Sequence, residues 1–137
     1  MEKEKNDLIK KLNEAYLVFI EDKKRETQRR LEEKHNEKMA LCRKQAQEIM
    51  DSLTEERLLP LAQKGLTKHL LLYIGESYIP KNRKIYEHDT SDRCVCILLA
   101  VMLEEAGFNV RQFRINHNEL TKYSVNAEGY YLGISWE

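Results

Sequence analysis

Residues 1–59 read MEKEKNDLIKKLNEAYLVFIEDKKRETQRRLEEKHNEKMALCRKQAQEIMDSLTEERLL and contain neither glycine nor proline. Because these two residue types most often end or bend a helix, their absence predicts one long helix. A second helix start follows, because Ser52 and Glu55 match a capping box and Thr54 could cap the same turn. We therefore assign residues 1–53 to a helical arm and residues 54–137 to a small domain.

Apolar residues line one face of the arm in two blocks. The first block recurs every three or four residues near the N-terminus, and the second lies toward the small domain with nearly heptad spacing. Between them, residues 21–38 are almost all charged or polar. This coiled-coil-like pattern predicts that the arm either pairs with another copy, as in a dimer, or packs back on its own chain. The residues that we assign to self-association are Leu12, Phe19, Leu31, Met39 and Ile49.

The remaining sequence predicts an α+β domain, in which a short antiparallel sheet packs on one or two helices. Gly65 ends a helix, and the apolar run at 66–74 is either a strand or a buried helix, of which its length favours the strand. Ser91 or Thr90 can cap a helix that runs to about residue 106, is apolar on nearly all sides and is followed by Gly107, which predicts a core helix. Apolar residues change phase within 108–115, which predicts a bulge or a strand with two apolar faces. The further strands are predicted at 84–87, 108–115 and 130–136, the last two forming a hairpin with a long connection.

Composition sets limits on partners and compartment. Lys plus Arg and Asp plus Glu number 23 each, so no net excess of charge points to nucleic acid or to an acidic tail. The three cysteines are an odd number with no secretion signal before them, which predicts a reduced, cytoplasmic compartment. The longest apolar run, at 95–103, has about half the length of a membrane-spanning helix, so we expect no membrane insertion.

Cysteine and histidine provide the candidate chemistry. Cys94 and Cys96 form a C-x-C with His88 and Asp89 upstream, but residues two apart on a helix point to different faces and hold a metal poorly. Cys94 with a histidine and an acid could also form a nucleophilic triad, although no nucleophile elbow or glycine-rich phosphate loop accompanies it. Thiols in an apolar helix more often only pack. We therefore predict no catalytic residue, no metal and no cofactor, and keep a small thiol or metal-dependent enzyme as an alternative.

Most of the tyrosines and the single tryptophan lie in the small domain. Such amphipathic rings build cores, and they also anchor interfaces because they bury a large area with little loss of entropy. We expect a partner-binding surface along the outward strand residues and the loop at 78–90. The residues that we assign to it are Tyr78, Arg83, Tyr86, His88 and Tyr130.

The arm also carries basic residues that could contact phosphates, which gives nucleic-acid association as another alternative. Acidic residues are interleaved with them, as in Glu21 and Arg25 four residues apart, and no aromatic platform accompanies them. This pattern favours a self-neutralised, solvated helix face over a nucleic-acid surface.

Three phrases of the C-terminal part resemble small uncharacterised phage and prophage proteins. They are LAQKGLTKHLLLYI at 61–74, LLAVMLEEAGFNVRQFRI at 98–115 and LGISWE at 132–137. The resemblance implies a protein that binds a host or phage component in the cytoplasm of a bacterial host, for example an inhibitor of bacterial immunity such as an anti-CRISPR. We therefore expect a non-catalytic protein-interaction module whose arm assembles or docks, with a protein partner favoured over nucleic acid.

Overall fold

A computed structural model describes residues 2–137 and confirms the α+β class of the chain. The helices are α1 (Glu2–Asp51), α2 (Glu55–Gln63), α3 (Ser91–Glu105) and α4 (Leu120–Tyr123), with a short 3-10 turn at His117–Glu119, and the strands are β1 (Lys68–Gly75), β2 (Asn109–Ile115) and β3 (Gly129–Ser135). The chain divides between Glu37 and Lys38 into an N-terminal unit and a C-terminal unit. Among residues 2–137, none of the helices combines the length and the apolar character that crossing a membrane requires.

The N-terminal unit is formed by the first part of α1. Between residues 2 and 37, Ile20 and His35 are half-buried and every other side chain is exposed. Charged neighbours pair one helical turn apart, as in Arg30 with Glu26 at 2.8 Å. Exposed pairs of this kind stabilise a helix only slightly. Residues 2–37 therefore have no hydrophobic core of their own.

The rest of α1, residues 38–51, belongs to the core of the C-terminal unit. Cys42 and Ala46, one turn apart, are 1% and 0% exposed, because their small side chains let the helix approach its neighbours closely. The Sδ atom of Met39 lies 3.5 Å from the Sγ atom of Cys94 in α3. The border predicted after residue 53 lies two residues beyond the end of α1 at Asp51, whereas the compact C-terminal unit begins at Lys38.

The C-terminal unit contains a three-stranded antiparallel sheet in the order β1-β3-β2. β3 is paired along both edges, and nearly all of its residues are buried. On one face, Leu132 and Ile134 join α3 and the end of α1 in the main core. On the other face, Gly133 leaves no room for a side chain, since an added Cβ would lie 2.5 Å from the His69 carbonyl oxygen and 3.0 Å from the Phe113 ring.

Several predicted elements lie where the sequence placed them. The apolar run at 66–74 forms a strand, β1. The core helix is α3, which begins where Thr90 Oγ1 accepts a hydrogen bond from the Arg93 N–H at 3.2 Å and ends before Gly107 at φ +91°. β2 and β3 form the predicted hairpin, and β2 pairs without a break. β2 has two apolar faces, and Val110 lies on the face that packs against the main core. The register shifts occur instead in the pairing of β1 with β3.

The strand predicted at 84–87 is wrong, because this segment is a loop. Its backbone N–H groups bond to side chains in place of a neighbouring strand. The Lys84 N–H donates to Asn82 Oδ1 at 3.2 Å, and the Tyr86 N–H donates to Asp89 Oδ2 at 2.7 Å. Side-chain acceptors of this kind favour turns over strands.

The capping box predicted at Ser52 and Glu55 is also wrong. The Ser52 hydroxyl donates to the Ile49 carbonyl at 2.6 Å, so it closes the end of α1 and does not cap α2. Thr54 occupies the N-cap position of α2 without a side-chain cap bond. The helix therefore breaks where the sequence predicts, but the Ser52 hydroxyl closes the end of α1 and no side chain caps the start of α2.

Candidate functional site

The main candidate for an interaction surface is an uncovered apolar face of the N-terminal unit. Leu8, Leu12 and Phe19 are 57%, 59% and 54% exposed. Their neighbours Ile9 and Tyr16 are equally open. Because water solvates such a face poorly, it indicates contact with another protein surface. We name this set the N-terminal stripe; its members are Leu8, Ile9, Leu12, Ala15, Tyr16 and Phe19.

The structure separates the five residues that the sequence assigned to self-association. Leu12, Phe19 and Leu31 are exposed. Met39 and Ile49 are half-buried and pack against the core of the C-terminal unit. The apolar surface of the last two is therefore largely covered within one chain.

The two apolar blocks of α1 also differ in heptad register. Counted in steps of seven from Phe19, the first block continues at Ala40 and Gln47, whereas the block that packs on the core uses Met39 and Ala46. One straight coiled-coil seam cannot follow both registers. The sequence analysis places both blocks on one face of the arm, and this one-residue shift is the sequence signal that separates them.

Two of the five predicted partner-binding residues, Tyr78 and Tyr130, meet on the C-terminal unit. Their ring centroids lie 4.2 Å apart, and the guanidinium carbon of Arg114 lies 5.4 Å from the Tyr130 ring centre. Hydrogen bonds from Tyr78 and then Arg114 lower the pKa of Tyr130, while the hydrogen bond with Tyr130 raises the pKa of Tyr78. We name these three residues the tyrosine patch. Sequence reasoning missed Arg114, although strand pairing places it opposite Tyr130.

Hydrogen bonds fix the backbone beside the tyrosine patch. Ile79 is buried, and its N–H donates to Gln112 Oε1 at 2.7 Å while its carbonyl accepts from Gln112 Nε2 at 3.0 Å. Arg93 Nη2 donates to the Tyr78 carbonyl at 3.1 Å. A backbone held in this way lowers the entropy that is lost when an aromatic side chain is ordered at an interface.

The other three predicted partner-binding residues make different contacts. The rings of Tyr86 and His88 stack with centroids 5.3 Å apart, and Lys84 Nζ lies 5.2 Å from the Tyr86 ring centre. Arg83 Nη2 bonds to Glu104 Oε1 at 2.7 Å. The structure thus joins Tyr86 with His88, whereas Arg83 is engaged in an ion pair within the chain.

Sequence reasoning did not find a basic cleft on the C-terminal unit. Lys64, Lys68 and Lys122 line it together with Tyr123 and Ser124. The Nζ atoms of Lys68 and Lys122 lie 4.9 and 5.3 Å from the Tyr123 ring centre. Lys64 and Lys68 are four residues apart, but Lys122 is distant in sequence, so only the fold brings it beside them. We name these three residues the lysine cleft.

The cysteines are packed in the core. Cys42, Cys94 and Cys96 are free and buried. Burial raises the pKa of Cys94 and of Cys96 to about 11, and a hydrogen bond with Cys42 adds to the effect at Cys94. Both are therefore protonated at neutral pH, which is the less nucleophilic form of a thiol. Within the described residues 2–137, no three His, Cys, Asp or Glu side chains gather where a metal ion could be held.

No protein-family model, no curated protein and no solved structure matches this chain. Three surfaces of this chain are candidates for function. The N-terminal stripe is apolar, the tyrosine patch combines aromatic rings with one cation, and the lysine cleft is cationic.

Proposed function

We propose that this chain is a non-catalytic protein-interaction module. The N-terminal stripe joins two copies, and the C-terminal unit presents the tyrosine patch to a macromolecular partner. The observation that carries the proposal is the exposure of large apolar side chains along one face of the N-terminal unit. Each such side chain contributes about 1.5–3 kcal/mol when it moves from water into a fully buried contact.

The low stability expected of an unpacked helix also supports pairing of two copies through the N-terminal unit. A helix without tertiary packing is marginal in water, because packing of an apolar face supplies most of the stability of protein helices. Residues 2–37 have exposed side chains along almost their whole length. Pairing of two stripes provides the burial that this unit lacks on its own.

The test is the molar mass of the full chain by multi-angle light scattering over a range of concentrations. We expect a dimer that dissociates on dilution. Leu12→Asp is expected to weaken association about a hundredfold, because both copies lose a buried contact. Leu17→Asp is the matched control, since Leu17 is also 59% exposed but lies outside the stripe. A monomer at all concentrations, or equal loss in both variants, would contradict self-association through the stripe.

The tyrosine patch supports the second part of the proposal, recognition of a protein partner. Aromatic rings beside an arginine are the residue types that most often carry interface energy. Once a protein partner is identified, Tyr78→Ala in the full chain is expected to weaken its binding at least tenfold. Tyr86→Ala is the comparison for the neighbouring loop. If neither variant changes the affinity, the partner binds elsewhere and this part of the proposal fails. An inhibitory role in a phage-infected bacterium stays a prediction of the sequence resemblance.

The lysine cleft favours a second candidate function, association with nucleic acid. Three lysines that converge on one cleft can neutralise backbone phosphates, and each released counterion adds to the salt dependence of binding. A single-stranded oligonucleotide of mixed sequence would then bind with an affinity that falls steeply with salt, and Lys68→Glu with Lys122→Glu would abolish that binding. Absence of binding at low salt would remove this candidate.

A further inference from the structure

We propose that two copies of this chain pair through their N-terminal stripes in antiparallel orientation, with Leu8 of each copy facing Phe19 of the other. This inference rests on the proposed self-association and specifies its geometry. It follows from the exposed positions of the stripe and from the charged residues that flank it.

The apolar seam is complementary to itself when one copy is reversed. In an antiparallel helix pair, residues at the same height have numbers with a constant sum, and here that sum is 27. Leu8 then meets Phe19 of the other copy, and Leu12 meets its Ala15, so each layer joins a larger side chain to a smaller one. At one side of the seam, Ile9 approaches Tyr16 of the other copy. All members of the N-terminal stripe are used in this arrangement.

Charge supports the same register. The next layer outward places Lys5 against Asp22 of the other copy, one pair at each end of the seam. At the flanks, Glu4 falls beside Arg25 of the other copy, and Glu2 falls beside its Lys23. These contacts join opposite signs, and flanking charges of this kind set the orientation of paired helices.

A parallel pair in register lacks this complementarity. Each residue of the seam would then meet its own copy, so Lys5 would face Lys5, Asp22 would face Asp22 and Glu26 would face Glu26. Like charges at the seam oppose association. The same sequence thus disfavours the parallel arrangement and favours the antiparallel one.

A charge exchange in the full chain tests the orientation. In the antiparallel pair, Lys5→Asp faces Asp22 and Asp22→Lys faces Lys5, so each single variant is expected to raise the dimer Kd about tenfold. The double variant restores opposite charges and is expected to return the Kd to within about twofold of the parent. In a parallel pair, every variant exchanges one like-charged pair for another, so neither the single variants nor the double variant changes the Kd. Single variants that leave the Kd unchanged, or a double variant as weak as the singles, would overturn the inference.

Disulfide trapping reports orientation without relying on affinity. A tagged Lys5→Cys chain is mixed with an untagged Asp22→Cys chain, and the three natural thiols are buried. Antiparallel pairing predicts a disulfide between tagged and untagged chains, whereas parallel pairing links like with like. In the wrong arrangement the two thiols lie about 25 Å apart along the helix, well beyond disulfide reach. Links between identical chains would refute the orientation and leave self-association standing, while a parent chain that stays monomeric would refute both.

Discussion

The two parts of α1 carry similar apolar patterns with different outcomes. Residues 38–51 bury Cys42 and Ala46 in the core of the C-terminal unit, while residues 2–37 leave Leu12 and Phe19 exposed. The two fully buried positions carry small side chains with Met39 and Ile49 half-buried beside them, whereas the exposed face carries mostly large ones that suit an interface. Periodicity therefore predicts that a helix face is covered, but side-chain size and register decide what covers it.

The largest effect is expected when the chain is shortened to begin at Thr54 instead of at Lys38. A chain that begins at Lys38 keeps Cys42 and Ala46, so we expect cooperative thermal unfolding with a midpoint near that of the full chain. A chain that begins at Thr54 loses these core contacts and is expected to lose cooperative unfolding in a circular dichroism melt. Equal midpoints for the two shortened chains would contradict the place of residues 38–51 in the core.

Replacement of one buried and one exposed alanine of α1 by leucine tests which faces of the helix are packed. Ala46 is fully buried and Ala40 is exposed. Ala46→Leu overpacks the core and is expected to lower the free energy of unfolding by about 1–3 kcal/mol. Ala40→Leu is expected to change it by less than about 0.5 kcal/mol. Urea unfolding measures both, and a similar loss in the two variants would argue against the assigned faces.

Alkaline pH should weaken the packing of α3, since Cys94 contacts Met39 of α1 and Cys96 contacts the Tyr73 carbonyl of β1. Folding raises the pKa of Cys94 and Cys96 from the ordinary 9.0 to about 11, because burial disfavours the thiolate. The stabilisation is complete below pH 9 and is lost as the pH rises through about 11, where the folded state must also release these protons.

Unfolding in urea at several pH values tests this expectation. The free energy of unfolding is expected to fall between pH 9 and pH 11 in the parent chain. A variant with Cys94→Ala and Cys96→Ala is the control, because it removes both thiols and keeps the other groups that titrate in this range. If the parent and this variant lose stability in parallel, the thiols are not the cause.

The smallest effect is expected at the exposed charges of the N-terminal unit. Arg30 pairs with Glu26 at 2.8 Å, and both side chains are largely in water. Arg30→Ala is expected to cost less than about 0.5 kcal/mol of helix stability and to leave the dimer Kd unchanged within about twofold. A large rise in the Kd would mean that charge pairs, and not the apolar stripe, hold the two copies together.

Local chemistry accounts for what the sequence could predict. The absence of glycine and proline predicts α1, and Thr90 with Gly107 brackets the core helix, because these signals act within one turn. The loop at 84–87 resembles a strand in sequence, and only the approach of Asp89 to its backbone reveals otherwise.

The contacts that could not be predicted from the sequence are those between residues far apart in the chain. The lysine cleft brings Lys122 of α4 to Lys64 and Lys68, and strand register brings Arg114 to the tyrosine patch. The burial of Met39 and Ile49 likewise depends on the domain that follows them. Tertiary packing decides such contacts, and no window of sequence contains both partners.

Amide hydrogen exchange of the full chain at several concentrations tests the contrast within α1 most directly. We predict that protection of residues 8–19 rises with chain concentration, because pairing of the stripes stabilises that part of the helix. Protection of residues 42–49 should stay constant, since its contacts lie within one chain. Protection that is independent of concentration in both segments would contradict the account.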